Sequence, residues 1–151
     1  MGIETQIKQS SFRNDYHKVL VNVIYTSNWV IENMKQLLQV EDITHQQYNI
    51  LRILRGGAPA PLSTLQIRER MLDKMSDTSR IVDRLVAKEL VKKCTCPKDK
   101  RLVDVTISDK GQKLLKKLDA ESDHIDEVMN NLSEDEAELL SSLLDKLRKK
   151  D

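Results

Sequence analysis

Four glycines and three prolines in 151 residues set the punctuation of this chain. After Gly2 neither type occurs until Gly56-Gly57, followed by Pro59 and Pro61. Beyond them come only Pro97 and Gly111, and the last 40 residues contain none. Long breaker-free stretches dense in Leu, Lys, Glu and Gln read as helices. Twenty leucines against five aromatics imply a core filled mainly by aliphatic side chains.

Periodicity and capping signals divide these stretches. A first helix is predicted from about Ser10-Ser11 to Gln39, because Leu20, Val23, Ser27, Val30, Met34 and Leu37 alternate steps of three and four. Such a helix of roughly 28 residues is about 42 Å long, more than a compact domain of this size needs, so a second subunit is expected to pack along it. Thr44-x-x-Gln47 has capping-box spacing and opens a second helix that Gly56 is expected to stop. Ser63-x-x-Gln66 opens a short helix ending near Met71-Leu72. Ser76 is expected to cap the next, with Ile81, Val82, Leu85 and Val86 inward. Only Asp73-Lys74-Met75 separates these two helices, which makes a helix-turn-helix.

The pattern then changes. Val91–Cys96 and Leu102–Ile107 read as strands, the second alternating with Val103, Val105 and Ile107 on one face, and Pro97 to Arg101 joins them as a hairpin. Ser108 is predicted to cap a long helix carrying Leu114, Leu118, Ile125, Val128 and Leu132. Ser133-x-x-Glu136 opens a last one carrying Leu140, Leu143, Leu144 and Leu147. The fold class is therefore mainly α with a small β-hairpin wing: a winged helix-turn-helix flanked by long N- and C-terminal dimerisation helices. The divisions are 1–43 for the first arm, 44–107 for the winged lobe and 108–151 for the second arm, integrated as one domain.

The stretch from Leu62 to Gly111 resembles the MarR family of multiple-antibiotic-resistance regulators. Thr78-Ser79-Arg80-Ile81-Val82-Asp83-Arg84-Leu85 looks like the family's recognition helix. Asp99-x-Arg101 looks like its hairpin tip, and Val103-x-Val105-Thr106-Ile107-Ser108-x-x-Gly111 like the segment that follows. With the flanking helices, the resemblance covers nearly the whole chain. It departs at Glu89, where the family often has Gly; a left-handed residue there costs Glu roughly 1 kcal/mol more. Ser108 stands for the usual Thr and caps equally well. The resemblance implies a homodimer with interleaved terminal helices, recognition helices in successive major grooves and wings in flanking minor grooves. It also implies transcriptional repression relieved by a small-molecule inducer or a stress signal.

The expected DNA-binding residues are Ser76, Asp77, Thr78, Ser79, Arg80, Arg84 and Lys88 on the recognition helix. Short polar groups at its start suit phosphate or base contacts, and Arg can span guanine O6 and N7. Lys98, Asp99, Lys100 and Arg101 are the wing residues. Arg101 is expected in a minor groove, whose negative potential attracts it, with Asp99 orienting its guanidinium or stabilising the turn. Asp83, a poor neighbour for phosphate, is expected in an internal salt bridge with a nearby Arg. Read by themselves these charges could be an ordinary solvated face.

The formal net charge of +1 gives no overall pull toward nucleic acid, but it is unevenly spread. Residues 62–107 hold 11 Lys plus Arg against 7 Asp plus Glu, a surplus of four, while the remainder holds 14 against 17. The composition thus does not argue against DNA, and the homodimer that the resemblance implies makes double-stranded DNA bearing an inverted-repeat operator the expected partner. Cys94 and Cys96 share a strand face and read as buried small residues or, less simply, as a redox switch. His17, His45 and His124 are scattered, so no metal site and no cofactor is expected. Phe12, Tyr16, Tyr25, Trp29 and Tyr48 all lie upstream of the helix-turn-helix, as core or dimer contacts or as the lining of a ligand pocket. No phosphate loop, nucleophile elbow or His-Glu-x-x-His motif suggests an enzyme. The alternative class is a winged helix used only for protein contact. No secretory signal or membrane span is apparent, so a cytoplasmic protein is expected.

Overall fold

The computed structural model describes residues 1–95, 98 and 103–149. In chain order its elements are α1 (Ile3–Gln6), α2 (Asp15–Gln39), α3 (His45–Gly57), β1 (Leu62–Ser63), α4 (Thr64–Arg70) and α5 (Thr78–Ala87). They continue with β2 (Val91–Thr95), β3 (Val103–Ile107), α6 (Asp109–Asp119), α7 (Ser122–Asp126) and α8 (Glu134–Leu147). The three strands form one antiparallel sheet in the order β1-β3-β2. Leu62 stands opposite Val105, and Val91 opposite Ile107. The winged helix-turn-helix with helical flanks is the architecture the sequence predicts.

Local chemistry accounts for most boundaries. All three capping boxes form: Thr44 with Gln47, Ser63 with Gln66 and Ser133 with Glu136. Several boundaries differ from expectation. The first long helix begins at Asp15, where the Asn14 side chain accepts the His17 N–H at 2.9 Å, rather than at Ser10-Ser11. Residues Ile3–Gln6 make a separate turn, tied to the long helix by a Glu4–Lys18 ion pair. Gly56 does not stop α3. Neither Gly56 nor Gly57 takes a positive φ, and the helix includes both, ending at Gly57 with Ala58 extended ahead of Pro59, which has no N–H to continue it.

The expected long helix after the wing is broken. Helix α6 ends at Asp119, and α7 and a run of turns lead to α8. At the end of α6 the Asp119 carboxylate accepts from both terminal guanidinium nitrogens of Arg55.

The core lies in the winged lobe. Ile50, Leu51 and Leu54 of α3 pack with Ile67, Met71, Ile81, Val82, Leu85, Val105, Leu115 and Leu118. Each such side chain contributes about 1.5–3 kcal/mol when fully buried. Within α2 only Leu38 is buried, and within α8 none is.

Candidate nucleic-acid interface

The turn that aims α5 is built by side chains. Asp73 accepts the Met75 N–H (3.0 Å), and its carbonyl accepts the Ser76 hydroxyl (2.8 Å). Its other carboxylate oxygen accepts the Gln46 amide of α3 at 3.0 Å. The Asn49 side chain takes the Leu72 N–H at 2.9 Å, so the turn is bonded to α3 at two points. Because Ser76 is engaged with Asp73, the cap of α5 is Asp77, whose carboxylate accepts the Arg80 N–H at 3.2 Å. This corrects the expectation that Ser76 caps the helix.

Helix α5 buries Thr78, Ile81, Val82 and Leu85. Val86, expected inward, is 37% exposed. The opposite face presents Asp77, Ser79, Arg80, Asp83 and Arg84 to solvent. Arg80 and Arg84 are four residues apart, so they lie one above the other on a single face. Among the described residues neither forms an ion pair. Asp83 is bound internally as expected, but by Lys93 of β2 at 2.9 Å rather than by an arginine.

Two expected contact residues are placed elsewhere. Thr78 is 3% exposed, and its hydroxyl has no hydrogen-bond partner among the described residues. Lys88 turns back into the lobe, where its ammonium donates to the Asp42 carbonyl and to Gln47 Oε1 (3.1 Å). In the wing, Lys98 is exposed. Asp99, Lys100 and Arg101, with Cys96, lie outside the described residues. Cys94 is exposed rather than buried, since it lies on a strand whose burial ends at Val91.

A cleft of about 420 Å³ separates the starts of α4 and α5, with Thr64, Leu65 and Arg68 facing Ser76 to Ser79. The α4 residues were not singled out from the sequence, although the Ser63 capping box places Thr64 at that helix's first turn. A second cavity of about 870 Å³ lies between α2, α3 and the α4–α5 turn. Val30, Met34, Ile53 and Met71 are among its apolar walls, and Tyr48 lines it with the Arg52 guanidinium 5.6 Å from the ring centroid. Among the described residues no group of three His, Cys, Asp or Glu could hold a metal ion, and no helix is long and apolar enough to cross a membrane.

A recognition helix bonded to a preceding helix through a tight turn, and backed by a three-stranded wing sheet, defines a winged helix-turn-helix DNA-binding protein. A family model described as the MarR family matches residues 41–102. The HTH-type transcriptional regulator MhqR of Bacillus subtilis is 29% identical over 116 residues, covering 75% of this chain and 77% of that protein. The crystal structure of a mutant MarR from E. coli complexed with operator DNA superposes with a TM-score of 0.81, at 24% identity, over 93% of this chain and 100% of that one. Bordetella bronchiseptica BpsR, described for regulation of its DNA binding by 6-hydroxynicotinic acid, has a TM-score of 0.77 at 20% identity, covering 87% and 99%. The chain is therefore similar to MarR-family winged-helix transcriptional regulators, in sequence over residues 41–102 and in fold over nearly its whole length.

Proposed function

We propose that this protein is a homodimeric repressor that reads an inverted-repeat operator through α5 and is released when a small molecule enters the cavity beside α2. The observation that carries the reading is the solvent face of α5: Ser79, Arg80 and Arg84 are exposed, and Asp83 is drawn off by Lys93. Arginines in that position can bind guanine edges bidentately, and Lys98, Lys100 and Arg101 would add contacts to phosphate or minor groove. The operator complex of the E. coli relative supports the same use of the fold.

Dimerisation is supported by apolar stripes that this chain leaves open. Leu20 and Ile24 of α2 are each 56% exposed, and Leu143 and Leu147 of α8 are 52% and 60% exposed. Release by a ligand is supported by the cavity at Tyr48 and Arg52, whose apolar walls and single guanidinium suit a flat molecule with one acidic group. The 6-hydroxynicotinic acid of BpsR has that chemistry.

Selection of bound duplexes from random DNA tests the proposal. The expected result is an inverted repeat with half-sites about one helical turn apart. Arg80→Ala and Arg84→Ala should each weaken the recovered site by roughly 10- to 100-fold. No enriched sequence at low salt would overturn it. Aromatic carboxylates should raise the melting temperature of the wild type but not of Arg52→Ala.

A further inference from the structure

We propose that Ser108 is a positioning residue for DNA reading: it holds the C-terminal end of α5 and so fixes the angle at which Arg80 and Arg84 are presented. A helix leaves its last carbonyls without intrahelical partners. Here the three carbonyls at and beyond the cap of α5 are each taken by the start of α6. Lys110 Nζ donates to the Lys88 carbonyl at 3.0 Å, the Ser108 hydroxyl to that of Glu89 at 2.7 Å, and the Ser108 N–H to that of Leu90 at 3.0 Å. The same hydroxyl accepts the Gly111 N–H at 3.1 Å. One side chain, only 7% exposed, therefore caps α6 and anchors α5.

The junction admits no slack. A Cβ on Gly111 would fall 2.3 Å from the Leu90 carbonyl oxygen and 2.7 Å from Ile107 Cγ1. On the opposite side Lys88 ties the same helix end to Asp42 and Gln47. Apolar packing through Ile81, Val82 and Leu85 resists withdrawal of α5 but is non-directional, whereas hydrogen bonds at its end fix direction. Ten residues of helix make a lever of about 15 Å. The other end is held at the Asp73 turn. A tilt of about 10° about that turn moves the C-terminal end by roughly 2.5 Å and Arg84, about 10 Å along the helix, by roughly 1.8 Å. That is enough to break a bidentate contact that needs donor and acceptor about 3 Å apart.

This inference rests on α5 being the DNA-reading element. The test uses the full chain, the inverted-repeat duplex selected by the wild type and a scrambled duplex of equal length. Ser108→Ala should lose about tenfold or more on the selected duplex, comparable to a mismatched base pair, and less than twofold on the scrambled one. Ser108→Thr, which keeps the hydroxyl, should restore discrimination. Lys110→Met removes an exposed side chain, so it should leave folding intact and reduce the ratio between the two duplexes a few-fold. Equal losses on both duplexes, no rescue by Thr, or an unchanged ratio in Lys110→Met would overturn the proposal. A wild type that selects no sequence overturns the DNA-reading proposal, and this one with it. A wild type that selects a sequence while the variants keep its discrimination overturns this one alone.

Discussion

On α5 the side chains of Ile81, Val82 and Leu85 are 8%, 1% and 0% exposed, whereas on α8 those of Leu139, Leu140, Leu143 and Leu147 are 60%, 42%, 52% and 60% exposed. Both helices carry an aliphatic stripe at helical spacing, so amphipathic pattern alone does not separate them. What separates them is closure. The stripe of α5 meets α3, α4 and β2 within the same chain, while those of α8 and most of α2 face open space. The lobe closes its core with Leu38 of α2 and Leu115 and Leu118 of α6. The rest of α2 and all of α8 leave their apolar side chains unburied, each worth about 1.5–3 kcal/mol if fully buried.

The largest expected effect sets the two regions against each other. Leu85→Ala should destabilise the fold by about 2–5 kcal/mol in urea denaturation. Leu143→Ala should change the stability of the dilute monomer by no more than about 0.5 kcal/mol. The second variant should instead shift self-association in sedimentation experiments, and equal unfolding penalties would break the distinction.

Gly111→Ala comes next, at about 1–3 kcal/mol, because a backbone carbonyl must move to admit the methyl group. Glu89→Gly should act in the opposite direction. Glu89 has φ 61°, and its N–H and that of Leu90 bond back to Val86 and Leu85, a Schellman closure of α5 normally given to glycine. Relief of that strain should stabilise the lobe by about 1 kcal/mol or less, after the greater freedom of glycine in the unfolded chain is counted.

The smallest effect concerns pH. The two capping boxes of the lobe use neutral Gln47 and Gln66, whereas that of the arm uses Glu136. The Ser133 N–H, and then its hydroxyl, hold the Glu136 carboxyl below its ordinary value. A carboxyl lowered by folding contributes stability that is complete above its unfolded pKa and disappears as pH falls through its folded one. Acidification through the carboxylate range should therefore fray α8 while α3 and α4 keep their caps, as amide exchange would register. Glu136→Gln should remove that dependence.

What was legible in the sequence divides along the same physical line. Capping boxes, the tight Asp73-Lys74-Met75 turn and the stripe of Ile81, Val82 and Leu85 are local, and each stands where it was expected. The features that were missed depend on partners far along the chain. Lys88 looked like a surface cation, yet Gln47, which it reaches, is 41 residues away. Thr78 belonged to a polar helix start, yet in the folded chain, where α5 packs on α4, it is buried. The two residues of β1 are too few to show alternation and become a strand only because Val105 and Asp104 lie opposite. The break after α6 was masked by leucines that continue in helical step.

The sheet order β1-β3-β2 leaves one long edge of β2 with no strand beside it among the described residues. An exposed strand edge is a template for pairing with another molecule. On β2 it carries Lys92 and Lys93, both exposed, where a Val or Thr would complete a sticky ribbon. Lys92 gives like charge to any two such edges that approach each other, while Lys93 is paired with Asp83. Approach of two such edges is thereby disfavoured, and this side of the wing is guarded against strand-to-strand pairing.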